Sequence, residues 1–387
     1  MQESEIKKFY EKNKSYCSMP FKEIYGDNAG RYRFCCHAKA YPPIKKYTTS
    51  NTTPFKYFFS LEMDEVRNKM MSGEKIDVCK VCYKLEENGG ESYRTGKYKK
   101  KYGIDTEPNR IGLKLRIHGS FCNLSCYMCH PYNSSTRRNE LKTIYGLNEL
   151  KKMTAVDGNP NVGYQPVKHK QWNDIVKDIL DNIHLVAYMN LTGGEPLQLP
   201  KHWEFLDRIP NEHAKHITLS YDTNLTELKY KNYSIFDYVD KFEKILLGVS
   251  CDHYGKKLEW IRYPINRMKF ESNIKEASNL IKQLNCSVSL LNILELNEIY
   301  NYYMDNFGKP TTFMNIVTDP IMLSIRNLKL ETKKMLLEKY KKLPDYSYIK
   351  SELLLEPVDI GHKKMKKYCD DLSKHRNFNW RELWNEF

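Results

Sequence analysis

The feature that most constrains this chain is a set of three cysteines placed directly after a short apolar run. Cys122, Cys126 and Cys129 have the spacing C-x3-C-x2-C and follow the run 111–117, Ile-Gly-Leu-Lys-Leu-Arg-Ile. Three thiolates this close together can ligate three irons of a cubane [4Fe–4S] cluster and leave the fourth iron open for another ligand. Taken alone, the three cysteines could also be a chance grouping in the sequence or part of a zinc knuckle.

Length and composition narrow the class of protein. The chain has 387 residues, enough for one large domain and a smaller one, and 41% of them are hydrophobic. No apolar run reaches the about 18 residues of a membrane span, and the N-terminus lacks the apolar segment of a signal peptide. We therefore expect a cytoplasmic protein with no membrane partner. In that compartment the eleven cysteines favour metal or cluster ligands over disulfides.

The charge balance is basic, with 62 Lys and Arg against 48 Asp and Glu and a net charge of +14. The basic residues are spread along the chain and form no single long run. Such a distribution favours solvated helix faces, and it leaves a nucleic acid or an acidic peptide as alternative partners.

From about residue 111, short apolar runs alternate with segments of helical periodicity. Runs of four to eight residues rich in Val, Ile and Leu are typical of buried parallel strands. The alternation predicts an α/β fold, a partial (β/α)6 TIM-like barrel, whose sites gather at the carboxyl ends of the strands. The predicted strands span residues 113–117, 185–191, 217–221, 245–250, 287–293 and 312–317, and the predicted helices span residues 171–182, 202–208, 273–284 and 296–306.

The two ends of the chain differ from this central pattern. Five of the eleven cysteines lie before residue 105, in a stretch with little alternation. A small module with a thin core usually needs metal to hold its shape. We predict three parts: a separate cysteine-rich module over residues 1–105, the barrel over 106–320 and a helical C-terminal extension over 321–387.

A second candidate for chemistry is the segment Gly193-Gly194-Glu195-Pro196 after the second predicted strand. Two glycines let the backbone approach a ligand closely, and the Glu195 carboxylate can accept a bond from an ammonium group. An ordinary turn is the alternative.

Three further residues are candidate ligand-binding groups. Ser250 ends the fourth predicted strand, Arg262 follows it, and Asn292 lies on the fifth as an inward-facing residue. A guanidinium at Arg262 can bind a carboxylate bidentately. A helix cap or a surface salt bridge is the alternative for Ser250 and Arg262.

Together, the cysteine triplet and the Gly-Gly-Glu-Pro segment one strand later resemble the radical S-adenosylmethionine (radical SAM) superfamily. The resemblance implies that Cys122, Cys126 and Cys129 bind the catalytic [4Fe–4S] cluster and that SAM occupies its open iron. It implies reductive cleavage of SAM to a 5′-deoxyadenosyl radical, which abstracts hydrogen from a substrate. It also assigns SAM positioning to a set of cofactor-binding residues: Gly193, Gly194, Glu195, Ser250, Arg262 and Asn292, with Glu195 on the methionine amine.

The N-terminal cysteines form a second set. Cys17, Gly30 and Cys35 have the spacing C-x12-G-x4-C, and Cys79 and Cys82 form a later C-x2-C. This pattern resembles the opening of SPASM and twitch domains, which hold an auxiliary [4Fe–4S] cluster, although in most of that family it follows the barrel. The implied ligands are Cys17, Cys35, Cys79 and Cys82, with Cys36 as a rival to Cys35. A structural zinc site is the alternative.

The overall resemblance is to twitch-domain radical SAM proteins of phage and bacterial genomes, so the host cytoplasm is the expected location if a phage encodes the chain. It implies a peptide or protein side chain as substrate and a reduced flavodoxin- or ferredoxin-type electron donor. Modification of a nucleotide or RNA is the alternative enzymatic function. A non-catalytic cluster- or SAM-binding regulator is an alternative of a different class.

Overall fold

A computed structural model of the chain describes residues 3–27, 30–36, 38, 47–87, 91–116, 119–153, 169–358 and 361–385. The strands are β1 (Glu23–Gly26), β2 (Tyr32–Arg33), β3 (Ile111–Leu115), β4 (Val186–Leu191), β5 (Thr218–Thr223), β6 (Lys229–Tyr230), β7 (Tyr233–Ser234), β8 (Lys244–Ser250), β9 (Ile281–Val288) and β10 (Thr311–Ile316).

Eight of these strands form one sheet in the order β10-β9-β8-β5-β4-β3-β1-β2. All neighbours from β10 to β1 pair in parallel, and only the last pair, β1 with β2, is antiparallel. The six strands β3, β4, β5, β8, β9 and β10 follow one another in chain order, as the predicted partial (β/α)6 barrel requires. The fold class is therefore confirmed.

Helices precede, separate and follow these strands. The helices of the described residues are α1 (Glu3–Lys12), α2 (Met19–Lys22), α3 (Pro54–Phe58), α4 (Leu61–Ser72), α5 (Lys80–Glu87), α6 (Lys99–Tyr102), α7 (Ser135–Met153), α8 (His169–Asp181), α9 (Pro200–Arg208), α10 (Asn211–Ala214), α11 (Gly255–Ile261), α12 (Arg267–Glu276), α13 (Leu296–Phe307), α14 (Leu330–Lys339), α15 (Tyr346–Leu353) and α16 (Gly361–Arg376). None of the described helices is both long enough and apolar enough to cross a membrane.

The strand sequences give the sheet two different faces. On β5, Leu219 and Tyr221 are fully buried and belong to the main hydrophobic core, whereas Ser220 and Asp222 alternate with them and are half-buried. Because successive side chains of a strand point to opposite faces, the polar members of neighbouring strands share one side of the sheet. That polar side carries the cleft described below.

The predicted fifth strand was misplaced. The sequence indicated a helix over residues 273–284 and a strand over 287–293, but α12 ends at Glu276 and β9 occupies Ile281–Val288. Apolar residues at 274, 277, 281 and 284 fit helical spacing, yet Ile281, Leu284, Cys286 and Val288 are the buried residues of a strand. Short apolar runs fit both the helical and the strand period. Here the pairing of β9 with β8 selects the strand.

The N-terminal segment is not separate from the barrel. β1 pairs in parallel with β3, with Ile24 opposite Leu113, and both residues belong to the same hydrophobic core. The sheet therefore continues from the barrel strands into the N-terminal segment through β1 and β2. The boundary at residue 105 stays a prediction.

Candidate active site

A cleft of about 640 Å³ lies at the carboxyl ends of the barrel strands. Its walls come from the segments that follow β3 and β4 and from the ends of β5, β8, β9 and β10. It brings together most of the catalytic and SAM-binding residues predicted from the sequence, namely Cys122, Cys126, Cys129, Gly193, Gly194, Ser250 and Arg262.

The three cysteine thiols lie in a shielded environment. Burial, together with neighbouring Cys126, raises the pKa of Cys122 to about 12. Burial also raises the pKa of Cys126 and of Cys129, while the Arg262 and Arg137 guanidiniums act in the opposite direction on both thiols. Bare thiolates are therefore unfavourable here, and a cationic metal centre is what would stabilise them.

The cysteine loop is held by its backbone. Ser125 N–H donates to the Tyr263 carbonyl at 2.6 Å, and Tyr127 N–H donates to the Ile261 carbonyl at 2.9 Å. Ser134 Oγ, at the start of α7, donates to the Leu124 carbonyl at 2.7 Å. Contacts on both sides fix the loop between α7 and the end of α11.

The two glycines of the Gly-Gly-Glu-Pro segment have a steric reason to be glycine. Gly193 has φ +104° and Gly194 has φ +59°, values in the left-handed region that side chains disfavour. A Cβ on Gly194 would lie 2.0 Å from the Phe121 carbonyl oxygen. The segment therefore packs directly on the cysteine loop, where Glu195 N–H donates to that same carbonyl at 2.7 Å.

Glu195 lies beneath the surface of the cleft and does not line it. Its side chain is 1% exposed and accepts bonds from Thr223 Oγ1 at 2.7 Å, Asn224 N–H at 2.7 Å and Leu197 N–H at 3.2 Å. Burial raises the pKa of Glu195 to about 7, although these bonds act in the opposite direction. The carboxylate thus orders two residues, Thr223 and Asn224, that do line the cleft.

Arg262 faces both the cleft and a buried carboxylate. Its Nε lies 2.8 Å from Asp252 Oδ2, and its Nη1 lies 3.7 Å from Cys126 Sγ. Burial alone would lower the pKa of Arg262, but Asp252 and then Cys126 raise it overall. The Asp252 ion pair leaves the Nη groups to face the cysteine loop and the cleft.

Asn292 is not brought to the cleft. It lies after β9, fully buried, and its amide donates to the Asp252 and Ser287 carbonyls, each at 3.0 Å. Its Oδ1 accepts from Ser289 N–H at 2.8 Å. The expected place on an inward-facing strand is wrong, because β9 ends at Val288.

Asn224 is a site residue that the predicted set did not include. Its Nδ2 lies 3.8 Å from Cys122 Sγ and 2.9 Å from Asn123 Oδ1. The signal was the segment Asp222-Thr223-Asn224 at the end of β5, the strand next to the one that carries Gly-Gly-Glu-Pro.

The four predicted N-terminal ligands share one small cavity. Cys17, Cys35, Cys79 and Cys82 line it together with the apolar side chains of Phe34, Ala38, Val78 and Val81, with Tyr98 and with Arg94. Cys36 is exposed and is not part of this lining. Burial and then neighbouring Cys82 raise the pKa of Cys79 to about 12, while the Arg94 guanidinium acts in the opposite direction on Cys79, Cys17 and Cys82.

Both sets of cysteines offer thiolate sulfurs, which are the ligands that the two expected [4Fe–4S] clusters require. Within the described part of the chain, no three His, Cys, Asp or Glu side chains converge on a point where one metal ion could bind. The thiolates of a cubane cluster do not need to converge on one point, because each thiolate binds its own iron. The ligand assignments themselves stay predictions.

Comparison with protein-family models finds a match for the central segment of the chain. The family model of the Radical SAM superfamily matches residues 117–299, which include the cysteine triplet, the Gly-Gly-Glu-Pro segment, Ser250 and Arg262. This segment therefore matches the superfamily that its motifs predicted. Such a match implies a [4Fe–4S] cluster and SAM as cofactors.

Solved structures with a similar fold include "Native anSMEcpe with bound AdoMet", with 18% identity, a TM-score of 0.41, and 59% of each chain covered. The chain thus spans about 59% of the length of that relative. Streptococcus suis SuiB bound to precursor peptide SuiA has 14% identity and a TM-score of 0.39, with 80% of this chain and 67% of SuiB covered. At these values neither likeness supports a conclusion about activity. A search of curated proteins returned no match.

Proposed function

We propose that this protein is a radical SAM enzyme that abstracts hydrogen from a peptide or protein side chain. The observation that carries the proposal is the single cleft that gathers Cys122, Cys126, Cys129, both glycines and Arg262. Cys122, Cys126 and Cys129 would hold a [4Fe–4S] cluster, which would supply the electron for reductive cleavage of SAM. A flavodoxin- or ferredoxin-type protein is the proposed electron donor, and the cytoplasm is the proposed location.

In this proposal, the residues around the cleft bind the cofactors and orient the substrate. The three cysteines offer thiolates at the end of β3, and the Gly193–Gly194 backbone leaves room for a ligand against the loop. Arg262 offers its Nη groups beside Cys126, and Asn224 fixes the Cys122 side of the cleft through Asn123. Polar groups of Asn133, Thr192 and Asn315 line the same cleft and can bond to a peptide backbone.

The test is SAM cleavage by the anaerobically reconstituted protein. With dithionite as the reductant, the parent is expected to convert SAM to 5′-deoxyadenosine. The triple variant Cys122→Ala, Cys126→Ala, Cys129→Ala should lose this activity, while Cys36→Ser, which removes an exposed thiol outside the cleft, should keep it. Cleavage at the parent rate by the triple variant would contradict the assignment, and absence of cleavage by the parent would favour a non-catalytic regulator.

We also propose that Cys17, Cys35, Cys79 and Cys82 bind an auxiliary [4Fe–4S] cluster. The support is their shared cavity with an apolar wall and one buried guanidinium, that of Arg94. That guanidinium acts to lower the pKa of Cys17 and of Cys82, so it favours their charged forms. The exclusion of Cys36 from the lining favours Cys35 as the second ligand.

Counting the metals separates the auxiliary cluster from zinc. Two cubanes predict about eight irons in the parent and about four in the triple variant of the catalytic cysteines. A zinc site predicts about four and about none, with about one zinc in both proteins. Cys35→Ser should lose the second cluster and Cys36→Ser should retain it; the reverse result would show that Cys36 is the ligand.

A further inference from the structure

Beyond the cysteine loop, the polar side of the sheet carries an excess of basic groups. Arg116 lines the cleft, and Lys114 lies two residues earlier on β3, on the same face because side chains alternate along a strand. Lys101 and Lys97 come from the N-terminal segment that packs across this face. We call Lys97, Lys101, Lys114 and Arg116 the basic wall.

One of the two carboxylates near the basic wall is already engaged. Glu23, fully buried on β1, lies 2.5 Å from Lys114 Nζ and 3.4 Å from Lys101 Nζ. It also accepts a bond from Tyr102 Oη at 2.9 Å. The charge of Glu23 is therefore shared by two lysines and does not reach Arg116.

The second carboxylate forms no ion pair. Asp222 lies near enough to Arg116, Lys114 and Lys97 for each to oppose the rise in its pKa that burial causes. No Lys or Arg nitrogen of the described residues lies within ion-pair distance of Asp222. Meanwhile burial and the neighbouring Lys114 both lower the pKa of Lys97. Among the described residues, the four basic groups thus lie near Glu23 and Asp222, and only Glu23 forms ion pairs with them; Asp319 also lines the cleft.

Arg116 is the member of the basic wall that lines the cleft. Its Nε is buried and has no hydrogen-bond partner among the described residues. The guanidinium lies over the Tyr25 ring at 5.9 Å, a contact that gives the buried Nε no acceptor. Buried donors without an acceptor are unfavourable, and an anion in the cleft would supply one.

We propose that Arg116, supported by Lys114 and Lys97, binds a carboxylate of the substrate, so that the substrate peptide carries an acidic residue or presents its C-terminus here. This inference rests on the proposed function and names the class of peptide. A guanidinium matches a carboxylate with two parallel bonds. The sources of the carboxylate, an Asp or Glu side chain or the chain end, share this chemistry.

Two other anions fit the site less well. The SAM carboxylate is expected at the cluster, where Arg262 lies beside Cys126. Nucleic acid is bound by rows of cations that neutralise several phosphates, whereas this positive charge is grouped around one cleft.

The experiment measures the binding of labelled short-peptide pools to the reconstituted holoenzyme with SAM present. One degenerate pool has a fixed central Asp or Glu, and its matched pool has Asn or Gln; both have amidated C-termini. A third, neutral pool has free C-termini, and a degenerate RNA of equal length is the fourth probe. Each probe is tested on the parent, on Arg116→Gln and on Arg208→Gln, a control at an exposed arginine outside the cleft.

The parent and Arg208→Gln should bind one of the carboxylate pools about ten- to a hundredfold more tightly than the amidated Asn or Gln pool, and the pool that binds identifies the source. Arg116→Gln should lose this preference with unchanged iron content and SAM affinity. Arg116→Lys, which keeps the charge, should retain the preference in part.

Several outcomes would overturn the inference: no preference in the parent, a preference that survives Arg116→Gln, or an Arg116→Lys variant with full iron and no preference. A fall in SAM affinity in Arg116→Gln would assign Arg116 to SAM, and tighter binding of RNA would assign the site to nucleic acid. In each case 5′-deoxyadenosine formation by the parent would leave the proposed SAM cleavage intact, and only the RNA outcome would also count against a peptide substrate.

Discussion

Glu195 gives the sharpest question at the scale of single residues. The sequence suggested a direct bond between its carboxylate and the SAM amine, whereas the structure places that carboxylate under Thr223 and Asn224. Asn224 in turn lies beside Cys122 and Asn123. Glu195 therefore has a positioning function in the fold, whether or not it also bonds to SAM.

We expect Glu195→Gln to weaken SAM binding by about one to two orders of magnitude, since charge-assisted bonds contribute about 1.5–3 kcal/mol. Iron content should stay at the parent level, because the cysteine ligands are unchanged. Equilibrium binding of SAM and iron analysis measure the two effects. Equal SAM affinity in parent and variant would refute any part for Glu195 in binding.

A SAM analogue without the amino group separates the two functions of Glu195. If the carboxylate bonds to the amine, Glu195→Gln should weaken SAM binding but leave analogue binding unchanged. If it acts through Asn224, both ligands should lose affinity equally.

At the scale of elements, α16 contacts the cysteine loop, which the sequence did not predict. Arg376, near its end, donates to Glu140 Oε1 at 2.6 Å and to the Trp260 carbonyl at 2.9 Å, and it also bonds to the Ser125 carbonyl in the cysteine loop. Tyr368, two turns earlier, donates to the Tyr127 carbonyl at 2.7 Å. The C-terminal helix thus holds two residues that lie between the cluster cysteines.

Arg376→Lys should destabilise the apoprotein by about 1–3 kcal/mol, because a lysine keeps a charge near Glu140, which also pairs with Arg137, but cannot make all of the bonds that Arg376 donates to Glu140 and to the Trp260 and Ser125 carbonyls. It should also increase the alkylation rate of Cys126 in the apoprotein and reduce the iron retained after gel filtration. Lys374→Ala, on the exposed side of the same helix, is the matched control and should behave like the parent. Parent-like unfolding and iron retention in Arg376→Lys would show that α16 is dispensable for the loop.

For the whole molecule, both chain ends contribute to one barrel. β1 extends the sheet beyond β3, and Glu23 and Lys101 bring N-terminal charges to its polar side. At the other end of the sheet, Tyr93 of the N-terminal segment and Tyr348 of α15 have ring centroids 6.1 Å apart. The N-terminal and C-terminal segments therefore contact each other through this pair of rings.

The sequence by itself determined the centre of the barrel and the composition of its site. The cysteine triplet and the Gly-Gly-Glu-Pro segment each follow a strand, and the carboxyl ends of adjacent parallel strands must meet at one edge. Local spacing was therefore enough to place Cys122, Cys126, Cys129, Gly193 and Gly194 around one cleft. Ser250, at the end of β8, followed from the same rule, whereas Arg262, after α11, was assigned through the family resemblance.

Only the tertiary structure decided the contacts between segments distant in the chain. Arg376 reaches Ser125 across 251 positions and Lys101 reaches Glu23 across 78, and no local pattern encodes such pairs. The register of β9 also depended on its neighbours, because residues 273–284 satisfy two periods and only strand pairing selects one. The same displacement moved Asn292 out of the site. Local spacing fixes which residues follow a strand, whereas burial and charge pairing between distant segments fix what surrounds them.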